Sequence, residues 1–202
     1  QQFEEKSEYW DAESPDKITY LSYRSIRFKE QRIVLSNFRI RQFDTILMLP
    51  SDSDYKNFDK VYFEDIDGNI EVEIGKTWSV SVTIDDNLES ILQFKENPSE
   101  HELKIQFKGN RKNRMYIENT NTVIKITMPE ASVIKNAGNS DLTVNHIFGR
   151  YFRLENTGNG NAVLSGSTDQ LDIEKIGNGD VISETLVAKK AKVKNIGNGN
   201  VV

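Results

Sequence analysis

The chain has no cysteine, so disulfide bridges, thiol nucleophiles and cysteine-bound metals are excluded. No apolar run reaches the ~18 residues that a membrane-crossing helix needs. Histidine is scarce: His101 lies in a polar loop and His146 in a later segment, and neither has a second histidine at metal-ligand spacing. No serine sits in a Gly-x-Ser-x-Gly elbow. The pairs Gly158-x-Gly160 and Gly177-x-Gly179 lead into strands, so no helix N-terminus is available to hold a phosphate. Excess positive charge is also missing, since 26 basic residues stand against 31 acidic ones for a net charge of −5. A nucleic-acid partner is therefore not expected. The basic stretches Lys108–Arg114 and Lys189–Lys194 read as solvated loop and strand faces, with Lys189, Lys190, Lys192 and Lys194 outward and Ala191 and Val193 inward. From these absences no catalytic, cofactor-binding or metal-binding residue is assigned, and the chain is not read as an enzyme.

What the sequence does contain is a turn repeated four times: Asn136-Ala-Gly-Asn-Ser-Asp141, Asn156-Thr-Gly-Asn-Gly-Asn161, Lys175-Ile-Gly-Asn-Gly-Asp180 and Asn195-Ile-Gly-Asn-Gly-Asn200. The first glycines, Gly138, Gly158, Gly177 and Gly197, are 20, 19 and 20 residues apart. A period near twenty with aliphatic residues between fixed turns is the mark of a solenoid. One such unit buries too few side chains to offset the entropy of ordering its backbone, so the units must stack. A parallel β-helix follows, with an antiparallel sandwich as the competing fold. Stacking in register brings Asn139, Asn159, Asn178 and Asn198 to strand spacing, about 4.8 Å, where they form a hydrogen-bonded ladder.

Upstream, residues 1–17 are acidic and aperiodic and read as an arm. Residues 18–50 are rich in β-branched and aromatic residues and read as short strands, ambiguous at Ile33–Phe38, and 51–57 as a polar loop. From Phe58 the alternation is clean. Ile70, Val72 and Ile74, then Trp78, Val80, Val82 and Ile84, give a pair of half-buried strands joined through Gly75 and Lys76. Leu103, Ile105 and Phe107 repeat the pattern after a loop at Glu96–Glu100, and Ile124, Ile126 and Met128 repeat it again. Only Asp86–Phe94 offers a helical turn. The fold class is all-β, with a strand-rich segment over 1–57 followed by the repeat domain over 58–202.

Two features of the turns imitate chemistry. Asp141 and Asp180 share a repeat position two coils apart, about 9–10 Å, near the separation of ~6.5–9.5 Å used by an inverting glycosidase pair. Asn161 and Asn200 hold the same position, however, and an Asp/Asn interchange is what a turn-capping acceptor needs. Gly177-Asn-Gly-Asp180 resembles a calcium-binding β-helix repeat, but that site needs aspartates every nine residues. Asp65, Asp67, Asn69 and Glu71 open like an EF-hand loop, yet the twelfth position is Lys76, so this segment too reads as a turn.

The run from Phe58 to Val202 resembles the head GIN domain of the auto-transporter adhesins, found widely in envelope proteins of Gram-negative bacteria. The matching features are Phe58-Asp59-Lys60-Val61, the strand pair about Gly75, Leu103-Lys104-Ile105, Met128-Pro129 followed by Val133-Ile134, and the glycine turns. The family's turns are commonly Gly-Ser-Gly; here asparagine stands in place of serine. A degenerate lead-in is visible at Phe43-Asp44-Thr45-Ile46. The resemblance implies a β-helix-like head, export to the periplasm or cell surface, and an adhesive or structural role with a glycan or surface protein as partner. It implies no catalytic residue. A carbohydrate-active β-helix is the alternative; a groove with two or more ionisable groups beside Trp78, Tyr116 or Tyr151 would favour it over a smooth Asn, Ser and Lys surface.

The chain begins at Gln1 rather than Met, as a processed or trimmed start would. It stops at Val202, four residues after the last repeated asparagine, and leaves a coil unfinished. The expectation is that further residues or another chain cover that edge, self-association included, and that no compact cap is drawn from residues 1–57.

Overall fold

The computed structural model describes residues 55–108 and 120–202, and the backbone of strands at 25–28, 31–34 and 44–47. Outside the described residues lie the arm at 1–17, most of 18–50, the polar loop up to residue 54, and residues 109–119, which hold the rest of the basic stretch and Tyr116. The chain divides into two units, Gln1–Phe43 and Asp44–Val202. In the first, β1 (Ser25–Phe28) and β2 (Gln31–Val34) pair antiparallel, Ser25 opposite Val34.

The second unit is built almost wholly of strands: β3 (Asp44–Leu47), β4 (Lys60–Glu64), β5 (Asn69–Ile74), β6 (Ser79–Asp85), β7 (Leu92–Asn97), β8 (Glu102–Phe107), β9 (Val123–Met128) and β10 (Val133–Gly138), then three long strands, β11 (Asp141–Gly158), β12 (Ala162–Gly177) and β13 (Val181–Ile196). A four-residue helix, α1 (Asp86–Glu89), is the one helical turn among the described residues. The all-β expectation holds.

β11 and β12 bend toward their N-terminal ends, at the register shift between Val144 and Ile147 in β11 and between Val163 and Ser165 in β12. The bend gives the sheet two wings. One runs β3-β6-β9-β5 and on into the leading segments of β11, β12 and β13; the other runs β7-β8-β4-β10 and on into their trailing segments. Side chains that alternate inward, among them Phe63, Ile70, Ile105, Ile124 and Phe152, are fully buried in one apolar cluster. The alternation read from the sequence is therefore the burial pattern.

From Asp141 onward the pairing is parallel and each strand lies on the one before it, 19 to 20 residues back. Before Asp141 the simple coil-on-coil order fails. The pairs β3·β6, β6·β9 and β7·β8 are antiparallel. β5 and β6, read as adjacent partners, are separated by β9, which bonds to both. The segment Asp86–Phe94 keeps helical form only at α1, and Leu92–Asn97 is a strand whose Leu92 and Phe94 are half-buried. The loop expected at Glu96–Glu100 accordingly starts later, after Asn97.

Candidate binding surface

The repeated turns are corners at which one wing passes into the other, and three hydrogen-bond ladders run through them. Outermost, Asn159 donates to Asn139 at 2.9 Å, Asn178 to Asn159 at 2.8 Å and Asn198 to Asn178 at 3.0 Å. Beside it, Asp141 Oδ1 accepts the Asn161 backbone N–H at 2.8 Å, Asn161 Oδ1 accepts that of Asp180 at 2.9 Å, and Asp180 Oδ1 accepts that of Asn200 at 2.7 Å. Only an acceptor oxygen is needed at this position, which explains why aspartate and asparagine alternate there. The two aspartates are links between successive turns.

The innermost ladder is buried at Asn136, Asn156 and Lys175 and emerges to the surface at Asn195. Asn136, Asn156 and Asn195 each donate to the carbonyl four residues ahead, at 2.8–2.9 Å, and Asn136 also donates to Asn156 Oδ1 at 3.0 Å. Lys175 replaces asparagine in the third copy; its buried ammonium donates to the Gly177 carbonyl at 2.9 Å and to Asn195 Oδ1 at 3.1 Å. The recurrence of asparagine two residues before three of the four first glycines was the signal for this ladder. The second glycines are required by space: a Cβ on Gly179 would sit 2.0 Å from the Gly160 carbonyl oxygen.

The segment that opens like an EF-hand forms the same corner one coil earlier. Asp65 has φ 55°, its N–H donates to the Ala137 carbonyl, and a Cβ on Gly68 would lie 2.2 Å from the Thr122 carbonyl oxygen. Burial raises the Asp67 carboxyl above its ordinary range. Among the described residues no three acidic or histidine side chains are grouped to hold a metal ion. His146 sits at the bend of β11 with φ 58° and contacts Glu73.

The outer face of the second wing is a lattice of charge. Lys104 bonds Glu64 at 2.6 Å and lies 4.5 Å over the Tyr62 ring. Burial, with a hydrogen bond to Glu64, pushes the Tyr62 hydroxyl up to about 12. Arg153 bridges Glu155 and Glu174, both at 2.7 Å, and Lys194 reaches Glu174 at 2.6 Å. Lys194, ahead of Arg153, holds the Glu174 carboxyl below its usual value. Tyr151 donates to Asp172 at 3.1 Å. The lysines of β13 do point outward. Ala191 and Val193, expected inward, are exposed, Val193 by 50%, because β13 pairs on one side only along most of its length, with a single bridge from Val181 to Val201 on the other.

A concavity lies among the connections at one end of the sheet. β5 leaves its wing through 75–78 and crosses over β9 to reach β6, whereas β9 leaves through 129–132 in the other direction, past the start of β4, to reach β10. Where the two connections part, an open cleft of about 650 Å³ remains. Trp78 lines it, half-buried against the core, its indole N–H donating to the Phe58 carbonyl at 3.4 Å. Around it stand Asp59, Glu100, Glu130, Lys60 and His101. Lys60 pairs with Glu100 at 3.8 Å, and His101, held at φ 53°, directs Nδ1 to the Asn57 carbonyl at 3.2 Å. Of these, the sequence marks Trp78 as a groove aromatic, Asp59 and Lys60 as part of the opening motif and His101 as a lone histidine; Glu100 and Glu130 carry no signal, and nothing in the sequence brings the six together.

Residues 57–202 match the family described as "Putative auto-transporter adhesin, head GIN domain". The fold is similar to that of a putative adhesin from Parabacteroides merdae, at 13% identity over 80% of each chain and a TM-score of 0.41. It is also similar to a putative lipid binding protein from Parabacteroides distasonis, at 16% identity over 72% of this chain and 93% of that one, TM-score 0.46. A putative adhesin from Bacteroides fragilis aligns at 13% identity over 80% of this chain and 97% of its own, TM-score 0.42. No curated protein matches the sequence.

Proposed function

The chain belongs to the head GIN domain family of auto-transporter adhesins, and from that membership we propose that it is an exported, non-catalytic surface module that binds a glycan or a surface protein. The observation that carries the reading is the state of the repeat corners: the side chains that imitate a catalytic pair are spent on backbone N–H groups of the next coil. What remains for a partner is the outer charge lattice and the open cleft, both exposed to water. No water-excluded chamber of the kind that strengthens catalytic electrostatics surrounds the cleft. On the same reading residues 58–202 are the binding module, preceded over 1–57 by an acidic arm and short strands of which β3 joins the module's sheet through β6, and the stretch from Asp141 is the regular part of a parallel β-helix with coils of about twenty residues. The parallel registers of β11, β12 and β13 support that description.

Ionisable groups beside Trp78 favour a second reading, a carbohydrate-active protein that turns its ligand over. One experiment separates the two. The full chain is assayed for retention on a glycan array and on bacterial and host cells, and in parallel for release of reducing ends from a polysaccharide panel. Retention without cleavage is expected. Cleavage would overturn the non-catalytic reading, and retention on neither array nor cells would overturn the adhesive one.

A further inference from the structure

We propose that the cleft at the parting of the two connections is a saccharide site, in which an uncharged sugar ring lies against the Trp78 indole and its hydroxyls bond to the surrounding carboxylates. This rests on the adhesive reading and gives it a place and a ligand class.

The aromatic platform is fixed before any ligand arrives. Trp78 packs against the core on one side and is tied by its N–H to the Phe58 carbonyl, so stacking on its open part orders no loose side chain. An indole presents a flat apolar surface, and the axial C–H groups of a pyranose present another; joining them removes both from water. Polar groups then fix orientation, as in small-ligand sites generally. Asp59 and Glu130 have no side-chain partner among the described residues, so both keep their lone pairs for a ligand's O–H groups. The Asn57 carbonyl needs an N–H from His101 Nδ1, which leaves Nε2 of the neutral ring as an acceptor.

Charge decides against acidic sugars. The lining sets three carboxylates, Asp59, Glu100 and Glu130, against one ammonium, Lys60, which Glu100 already pairs. A uronate or sulfate would bring like charge onto this lining, whereas neutral hydroxyls meet acceptors that strengthen their bonds. A cleft this open leaves much of a ligand in water, so affinity for a single short saccharide is weak, on the order of millimolar.

The test uses the full chain with indole nitrogen labelled and follows the Trp78 side-chain signal by NMR during titration with lactose, maltose, cellobiose and chitobiose, and with digalacturonate as the anionic comparison. Expected is a saturable shift with at least one neutral disaccharide and none with digalacturonate. Trp78→Ala abolishes binding on a calorimetric readout, Trp78→Phe keeps it within a few-fold, and the exposed change Glu130→Lys weakens it about tenfold. Since Trp78→Ala also removes core packing, Glu130→Lys carries the test if that variant does not fold. A shift with digalacturonate alone, or with none of the sugars, overturns the proposal. So does neutral-sugar binding that both Trp78→Phe and Glu130→Lys leave unchanged while Trp78→Ala fails to fold. The adhesive reading fails separately, on the array and cells: retention there that survives both Trp78→Ala and Glu130→Lys removes the cleft and keeps the adhesin.

Discussion

Alanine at Asn156 and alanine at Asn159 delete the same number of side-chain bonds from two depths of one corner, and their costs should differ severalfold. Asn156 is 3% exposed; it donates to the Gly160 carbonyl at 2.8 Å and accepts from Asn136 at 3.0 Å. Its loss strands a carbonyl and an amide N–H where water does not reach, at about 1–3 kcal/mol each. A small cavity adds under ~1 kcal/mol at ~24 cal/mol per Å³. The sum is about 4 kcal/mol, a large part of the ~5–15 kcal/mol that holds an ordinary domain together. Asn159 donates to Asn139 at 2.9 Å and accepts from Asn178 at 2.8 Å, but it is exposed and water replaces both partners. About 1 kcal/mol or less is expected there. Urea unfolding of the two variants, with the slope unchanged so that midpoints compare directly, reads the difference. Equal costs, or a cost below ~1 kcal/mol for Asn156→Ala, would refute the view that burial gives the inner ladder its weight.

The glycines separate space from dihedral. Gly179→Ala forces a Cβ against the Gly160 carbonyl and strains the three neighbouring bonds between coils, for about 2–4 kcal/mol, whereas Gly149→Ala, with φ 136° and nothing within 4 Å, costs only the backbone strain, about 1–2 kcal/mol. Asp180→Asn should change stability by under ~0.5 kcal/mol and Asp180→Ala by about 1 kcal/mol, as thermal or urea unfolding will show. The Tyr62 hydroxyl, raised to about 12 from 10.0, favours the folded state fully below pH 10 and loses that contribution as pH rises toward 12; Tyr62→Phe should flatten the alkaline limb of a stability–pH profile. Glu174, lowered from 4.5, acts oppositely: its contribution is present above that value and is lost as pH falls through the depressed one, so Glu174→Gln should soften the acid limb.

Much of this architecture is legible in the letters, and what is not has physical causes. Period-two alternation marks β4, β5, β6, β8 and β9 because one face of each is buried, and the Gly-Asn turns mark the corners because stacked backbones there leave no room for a Cβ. The three-residue hop from Gly75 to Trp78 looks like a hairpin, since alternation records which face is buried and not which strand lies alongside; β9, fifty residues on, takes that place. β7 was hidden because Leu92 and Phe94 are only half-buried and follow a true helical turn. Val193 has the periodicity of a core residue without its burial, since burial also needs a neighbour. The cleft was the least legible part, being made by the divergence of two connections far apart in sequence.

The out-of-sequence stacking also governs how the domain responds to load. Pulled from the β13 side, the parallel strands β13, β12 and β11 can give way one at a time, each release freeing about 65 Å of chain at ~3.3 Å per residue. The unravelling then meets β9, which is bonded to β5 on one side and β6 on the other and must part from both together. A protein so arranged yields in short steps at small force and then stops, which a stretching experiment would record as evenly spaced small peaks followed by one higher peak.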